Sequence, residues 1–211
     1  MNKRFFHLII VDESGSMSCI EKQTVSGINE TIQSVQRTQR ESEQTDHFIT
    51  LTAFSSEGVR TLYDATPALQ AEPITAHQYS PNGCTPLYDA IGNGIQSLKR
   101  IVAPQDPVMV TIITDGEENC SSEFSLRQIH SLINEQKKQD WLFTFIGANI
   151  DVERASKDMG IDYSLAFEQD VPTTKRMFCK VSSLASKMSK RKEQHPDMAL
   201  HCMMEEDDLK L

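Results

Sequence analysis

Apolar residues in this chain switch repeatedly between two spacings, and that alternation restricts the fold more than any other feature of the sequence. Residues 5–11 (FFHLIIV), 47–54 (HFITLTAF), 108–114 (VMVTIIT) and 141–146 (WLFTFI) are near-continuous apolar runs, as expected of strands buried on both faces. Between them the spacing changes to three and four. Val25, Ile28, Ile32 and Val35 share one helix face, as do Leu87, Ile91, Ile95, Leu98 and Val102, then Leu126, Ile129 and Ile133, and finally Met177, Val181, Leu184 and Met188. Thr85 and Pro86 read as the cap and first residue of the second of these helices. A short helix is expected over 152–159. Strand followed by helix, repeated, implies an α/β fold: an open, mostly parallel, Rossmann-like sheet with helices on both faces, because right-handed crossovers place them there.

Two further strands complete the sheet. Residues 59–63 (VRTLY) follow the second strand after a short gap containing Gly58, which suits a hairpin and an antiparallel edge strand, and residues 163–167 suit another edge. The long segment 64–84 carries Pro67, Pro73, Pro81 and Gly83, so it reads as a loop long enough to be a functional surface. The periodic pattern fails near residue 190. Residues 1–190 are therefore expected to form one domain and residues 191–211, polar and then acidic, a loosely held tail. A chain of 211 residues with 38% hydrophobic and 24% charged residues can bury one substantial core but not two.

Charge narrows the partners. A formal net charge of −9 repels nucleic-acid backbones and anionic membranes, which leaves cations and basic surfaces. No stretch has the roughly 20 apolar residues of a membrane helix, and the apolar run at 5–11 is followed by acids rather than by a cleavage site, so it reads as a core strand and not as a secretion signal. Five cysteines, Cys19, Cys84, Cys120, Cys179 and Cys202, are odd in number and have no CxxC spacing. Neither a disulfide framework nor a zinc site follows, and a reducing cytoplasm is the expected location.

In an open α/β sheet, ligands bind beyond the carboxyl ends of strands where the strand order reverses. The first strand runs directly into Asp12, Ser14 and Ser16, and the 108–114 strand delivers Asp115 in the run ITDGEEN. Two carboxylates and two hydroxyls should thus converge. An all-oxygen donor set without His or Cys suits one hard cation, Mg²⁺ or Mn²⁺, and disfavours zinc or copper.

Asp12-x-Ser14-x-Ser16, Thr85 at the head of a later helix and Asp115 after the next buried strand together resemble the metal-ion-dependent adhesion site of von Willebrand factor A domains, over roughly residues 5–190. That resemblance implies direct coordination by Ser14 and Ser16, a Thr85 contact that changes between direct and water-mediated, and Asp12 and Asp115 completing the shell. It also implies an open metal position that accepts a partner's Asp or Glu. The run DESGSM looks like intracellular bacterial members, relatives of which serve as adaptors for ATPases or stress-response machinery. The expected function is accordingly a divalent-cation-dependent protein-binding module and not an enzyme. The alternative is a Mg²⁺-dependent hydrolase of phosphate esters, against which stand the missing P-loop, the missing GxSxG elbow and the lack of Lys or Arg beside the motif loops.

Other features have plainer readings. Glu117 and Glu118 suit a solvated loop, Gly92 and Gly94 close helix packing, and the cysteines near the motif inert thiols. The acidic C-terminal residues could reach the metal site of a neighbouring copy, but a solvated tail is simpler.

Overall fold

A computed structural model of the protein describes residues 2–42, 44–148, 151–168, 170–205 and 207–208. Strand and helix alternate through β1 (Lys3–Asp12), α1 (Glu21–Glu41), β2 (Thr45–Ser55), β3 (Gly58–Pro67), α2 (Leu87–Lys99), β4 (Val108–Thr114), α3 (Leu126–Lys137), β5 (Trp141–Gly147), α4 (Val152–Asp158), β6 (Tyr163–Ala166) and α5 (Val171–Gln194). The six strands form one sheet in the order β3-β2-β1-β4-β5-β6. All neighbours are parallel except β2 and β3, which form the antiparallel hairpin expected at the edge.

Alternation within β1 explains why helices cover both faces. Phe6, Leu8 and Ile10 point into a core built with Leu87, Ile91 and Ile95 of α2 and Ile129 and Ile133 of α3. Phe5, Ile9 and Val11 point the other way, into a core built with Ile28, Ile32 and Val35 of α1 and Met177, Phe178 and Val181 of α5. One apolar run thus supplies two cores because successive side chains in a strand face opposite sides. The helices on the second face meet closely: a Cβ added at Gly27 would lie 2.0 Å from the Phe178 ring. Gly92 and Gly94 likewise face Phe124 and Ile10, in keeping with close packing.

The course of the chain departs from expectation in three places. First, α2 begins at Leu87, one residue later than the Thr85–Pro86 reading, and the Pro86 carbonyl accepts from the Ala90 N–H at 3.0 Å. The Thr85 side chain is therefore released from capping.

Second, segment 64–84 is less of a surface loop than its composition implies. Residues 64–67 extend β3, and short 3-10 turns at Ala68–Gln70 and Ala76–Gln78 seat Ala68, Ala71, Ile74 and Tyr79 in the core. Amides of α1 hold this segment. Asn29 pairs with both backbone groups of Ile74, at 2.8 and 2.7 Å, and Gln36 donates to the carbonyls of Ala68 and Ala71.

Third, the segment beyond residue 190 is not a loose tail where it is described. Helix α5 continues to Gln194, Leu200 and Met203 enter the core under α5, and Asp208 is buried against Arg191 at 2.5 Å and Lys187 at 3.1 Å. Two apolar residues among many polar ones were enough to dock it. Residues 206 and 209–211 of the expected tail lie outside the described residues.

Candidate metal centre at the strand-order reversal

Strand order reverses between β1 and β4, which pair in parallel, so their carboxyl ends lie side by side at one edge of the sheet layer. Asp12 ends β1 and is fully buried. Its Oδ1 accepts from the Ser14 N–H at 2.7 Å and its Oδ2 from the Thr114 hydroxyl at 2.6 Å, so both carboxylate oxygens are oriented from below. The Thr114 hydroxyl in turn accepts from the Gly116 N–H at 3.1 Å, which fixes the turn after β4. Tyr79 donates its phenol to the Asp12 carbonyl at 2.6 Å.

Around this carboxylate the other oxygens gather. Ser14 Oγ lies 3.2 Å from Ser16 Oγ, and Ser16 Oγ donates to Asp115 Oδ1 at 2.6 Å. The space over Gly116 is bounded by Thr85 Oγ1 and Ser16 Oγ, at 3.3 and 3.9 Å from where a Cβ would stand. Thr85 is held there by Asn119, whose side-chain oxygen accepts from the Thr85 N–H at 2.8 Å while its own N–H donates to the Thr85 carbonyl at 3.2 Å. All five residues expected from the sequence are thus brought to one place by three separate loops. Asp12, Ser14, Thr85 and Asp115 are buried, and Ser16 is exposed.

Electrostatics agree with a cation-accepting arrangement. Burial pushes the Asp12 carboxyl up to about 6, the Asp115 charge adds to this, and the hydrogen bonds from Thr114 and Ser14 oppose it. Two neighbouring buried carboxylates repel each other, and a dication between them would relieve that repulsion. The loops 12–17, 83–86 and 114–119 contain no Lys, Arg or His. Among the described residues no group of three or more His, Cys, Asp and Glu side chains is placed to hold a metal, so any ion here depends on hydroxyl oxygens as well as the two carboxylates. Such a set fits a hard, oxygen-preferring cation that retains water ligands.

Several supporting residues were not legible in the sequence. Glu13, buried although it lies on the motif loop, receives Arg60 of β3 at 2.5 and 2.7 Å and the Ser80 N–H at 2.5 Å, tying the 78–82 segment to the end of β1. Asp89 in the first turn of α2 accepts from the N–H groups of Ser122, Glu123 and Phe124, at 2.8 to 2.9 Å. Glu118 accepts from the N–H groups of Tyr88, Cys120 and Ser121 and from the Ser121 hydroxyl, so it braces the loop after Asp115 and is not the solvated residue expected. Glu117 is exposed. Acidic residues in loops look alike in sequence, and only the fold reveals which ones meet backbone N–H groups.

The architecture matches known structures. The chain superimposes on a von Willebrand factor type A protein from Catenulispora acidiphila with a TM-score of 0.62 and 15% identity, over 88% of this chain and 43% of that one. It also superimposes on the SpRpn10 VWA domain with a TM-score of 0.61 and 10% identity, over 83% of this chain and 94% of that domain. This is a von Willebrand factor A-like fold. A third match, the pilus adhesin SpaC from Lactobacillus rhamnosus GG in its open conformation, has a TM-score of 0.65 and 13% identity, over 88% of this chain and 30% of that protein. The chain therefore spans less than half the length of two of these matched proteins. No protein-family model matches the sequence, and no curated protein matches it. No helix among the described residues is long and apolar enough to cross a membrane.

Proposed function

We propose that this A-like domain is a divalent-cation-dependent protein-binding module. One Mg²⁺ or Mn²⁺ is held by Asp12, Ser14, Ser16, Thr85 and Asp115, and an Asp or Glu of a protein partner reaches the remaining open position. The observation that carries this reading is the convergence of two carboxylates and three hydroxyls from three loops at the strand-order reversal. The cation supplies charge neutralisation and an attachment point for an anion, and no bond is made or broken. The chain's own residues do the positioning: Thr114 orients Asp12, Asn119 fixes Thr85, and Glu13 and Glu118 brace the loops on either side. Beside the site, Tyr88, Glu117, Glu118, Asp151 and Asp158 line a cavity of about 270 Å³ with Arg154 among them. An acidic surround of this kind favours a partner whose carboxylate is flanked by basic residues.

Calorimetric titration of metal-stripped protein with Mg²⁺ and Mn²⁺ tests the reading, run with and without acetate as a stand-in for the partner's carboxylate. Saturable binding is expected in the parent, weakened at least about tenfold, or ~1.4 kcal/mol, in Asp12→Ala and Thr85→Ala. If the folded parent takes up neither ion under both conditions, the proposal fails.

A further inference from the structure

The chain contains two Asn-Gly pairs, and the fold treats them in opposite ways. Asn82 and Gly83 are exposed and lie outside any helix or strand. The Gly83 N–H donates to Oδ1 of Asn82 itself at 2.9 Å, and Asn82 Nδ2 donates to Glu57 Oε1 at 3.1 Å. The side-chain amide is thus held against the backbone nitrogen that follows it. Gly83 has a φ of +76°, and a Cβ there would lie 2.1 Å from Ser56 Oγ, so the fold keeps this position free of a side chain that would shield the nitrogen. Asn93 and Gly94 lie inside α2, where N–H groups are committed to carbonyls four residues back and the Asn93 amide donates outward to Glu123 at 3.0 Å. The 82–83 loop is also stitched to the motif loop. The Asn82 N–H donates to the Glu13 carbonyl at 2.9 Å, and the Gly83 carbonyl accepts from the Gly15 N–H at 3.0 Å.

We infer that Asn82 is a site of spontaneous covalent modification, in which its side chain closes onto the Gly83 nitrogen and the resulting isoaspartyl link loosens the motif loop. The Gly83 nitrogen attacks Asn82 Cγ, a step favoured because the two groups are already in place. The N–Cγ bond forms, the Cγ–Nδ2 bond breaks, and the amide nitrogen leaves with the Gly83 proton as ammonia. One water then opens the cyclic imide. Breaking the new N–Cγ bond yields aspartate, whereas breaking the bond from that nitrogen to the Asn82 main-chain carbonyl carbon yields isoaspartate. No electrons are transferred, and the side-chain NH₂ is exchanged for OH. Isoaspartate carries the main chain through the former side chain, which adds a carbon between the Asn82 N–H and the Gly83 carbonyl. The bonds to Glu13 and Gly15 were spaced for the shorter link, so they cannot both persist. Either product also places a new carboxylate beside Glu57.

The test ages the full chain, without metal, in warm, mildly alkaline buffer and maps its peptides with fragmentation that separates isoaspartate from aspartate. Residue 82 should gain about one dalton and give both isomers, at least about tenfold faster than Asn93 changes. Asn82→Gln, in which closure needs a larger ring, should stay unmodified. Hydrogen exchange at the Gly15 amide should rise at least about tenfold in the converted chain and stay as before in aged Asn82→Gln. An intact Asn82, aspartate without isoaspartate, or equal rates at Asn82 and Asn93 would overturn the inference, as would unchanged Gly15 exchange in the isoaspartyl form. These readouts need no metal, so their failure is distinct from failure of the cation-binding proposal.

Discussion

At the scale of single residues, the tightest constraint lies far from the cleft. Gly27 exists because α1 and α5 approach until the Phe178 ring occupies the space of a Cβ. Gly27→Ala should therefore lower stability by about 1–3 kcal/mol in urea unfolding, despite the better helix propensity of alanine. A variant as stable as the parent would mean that Phe178 can rotate away at no cost. Arg60 poses the complementary case. Its guanidinium is half exposed, but the Glu13 carboxylate it meets is buried. Arg60→Ala leaves that carboxylate with fewer partners and should cost about 1–2 kcal/mol, with faster exchange of the Ser80 amide that Glu13 also holds. A change confined to exchange at Ser80, with stability intact, would show that the pair orders the loop without stabilising the fold.

At the scale of elements, the pairing of β1 with β2 buries a histidine pair between strands. The rings of His7 and His47 pack against Phe5 and against each other, with His7 Nε2 3.2 Å from His47 Nδ1, and His47 Nε2 is buried without a hydrogen-bond partner. Burial lowers the His7 imidazole well below its usual value, and the neighbouring His47 lowers it further. Burial likewise lowers His47 to about 4, against the opposing pull of Glu193 and Asp46. Both bases bind protons more readily in the unfolded chain, so their contribution to stability is complete above about pH 6.5 and is lost as pH falls, for His47 through its folded-state value of about 4. Urea midpoints taken from pH 7 down to pH 4.5 should fall steadily. They should fall less steeply in the His7→Phe, His47→Phe double variant, where both partners become apolar. Parallel slopes in the two proteins would assign the acid sensitivity to other groups. The strands themselves were legible from their apolar runs. The histidine contact was not, because it depends on a register that sets His7 opposite Ile49 and Phe5 opposite His47.

At the scale of the molecule, the segment after α5 is part of the domain. Leu200 and Met203 are buried beneath α5, and Arg191 reaches both the Met203 carbonyl and Asp208. Leu200→Ala should cost about 2–5 kcal/mol, as for other buried leucines, and deletion of residues 195–211 should lower the melting temperature further than that single change. An unaltered melting temperature on deletion would restore the loosely held tail. The same packing makes the C-terminal segment a brace for α5 and, through the Phe178–Gly27 contact, for α1, which leads back to the turn carrying Ser14 and Ser16.

Much of this architecture follows from sequence alone. A switch in apolar spacing from two-sided runs to intervals of three and four is a local property, so the order of strands and helices, and the arrival of Asp12 and Asp115 at strand ends, could be read directly from the chain. Thr85, Ser14 and Ser16 could be placed by the motif's spacing. What only the tertiary structure decided is which polar residues are spent on holding that site in place. Glu13, Asp89, Glu118 and Asn119 carry no distinguishing local pattern, and their roles come from backbone N–H groups brought to them from other loops, up to 67 residues away in the case of Glu13 and Ser80. Docking of the C-terminal segment has the same origin, since two apolar residues in a polar stretch make no period, and their burial depends on a groove that exists only once α5 lies on the sheet.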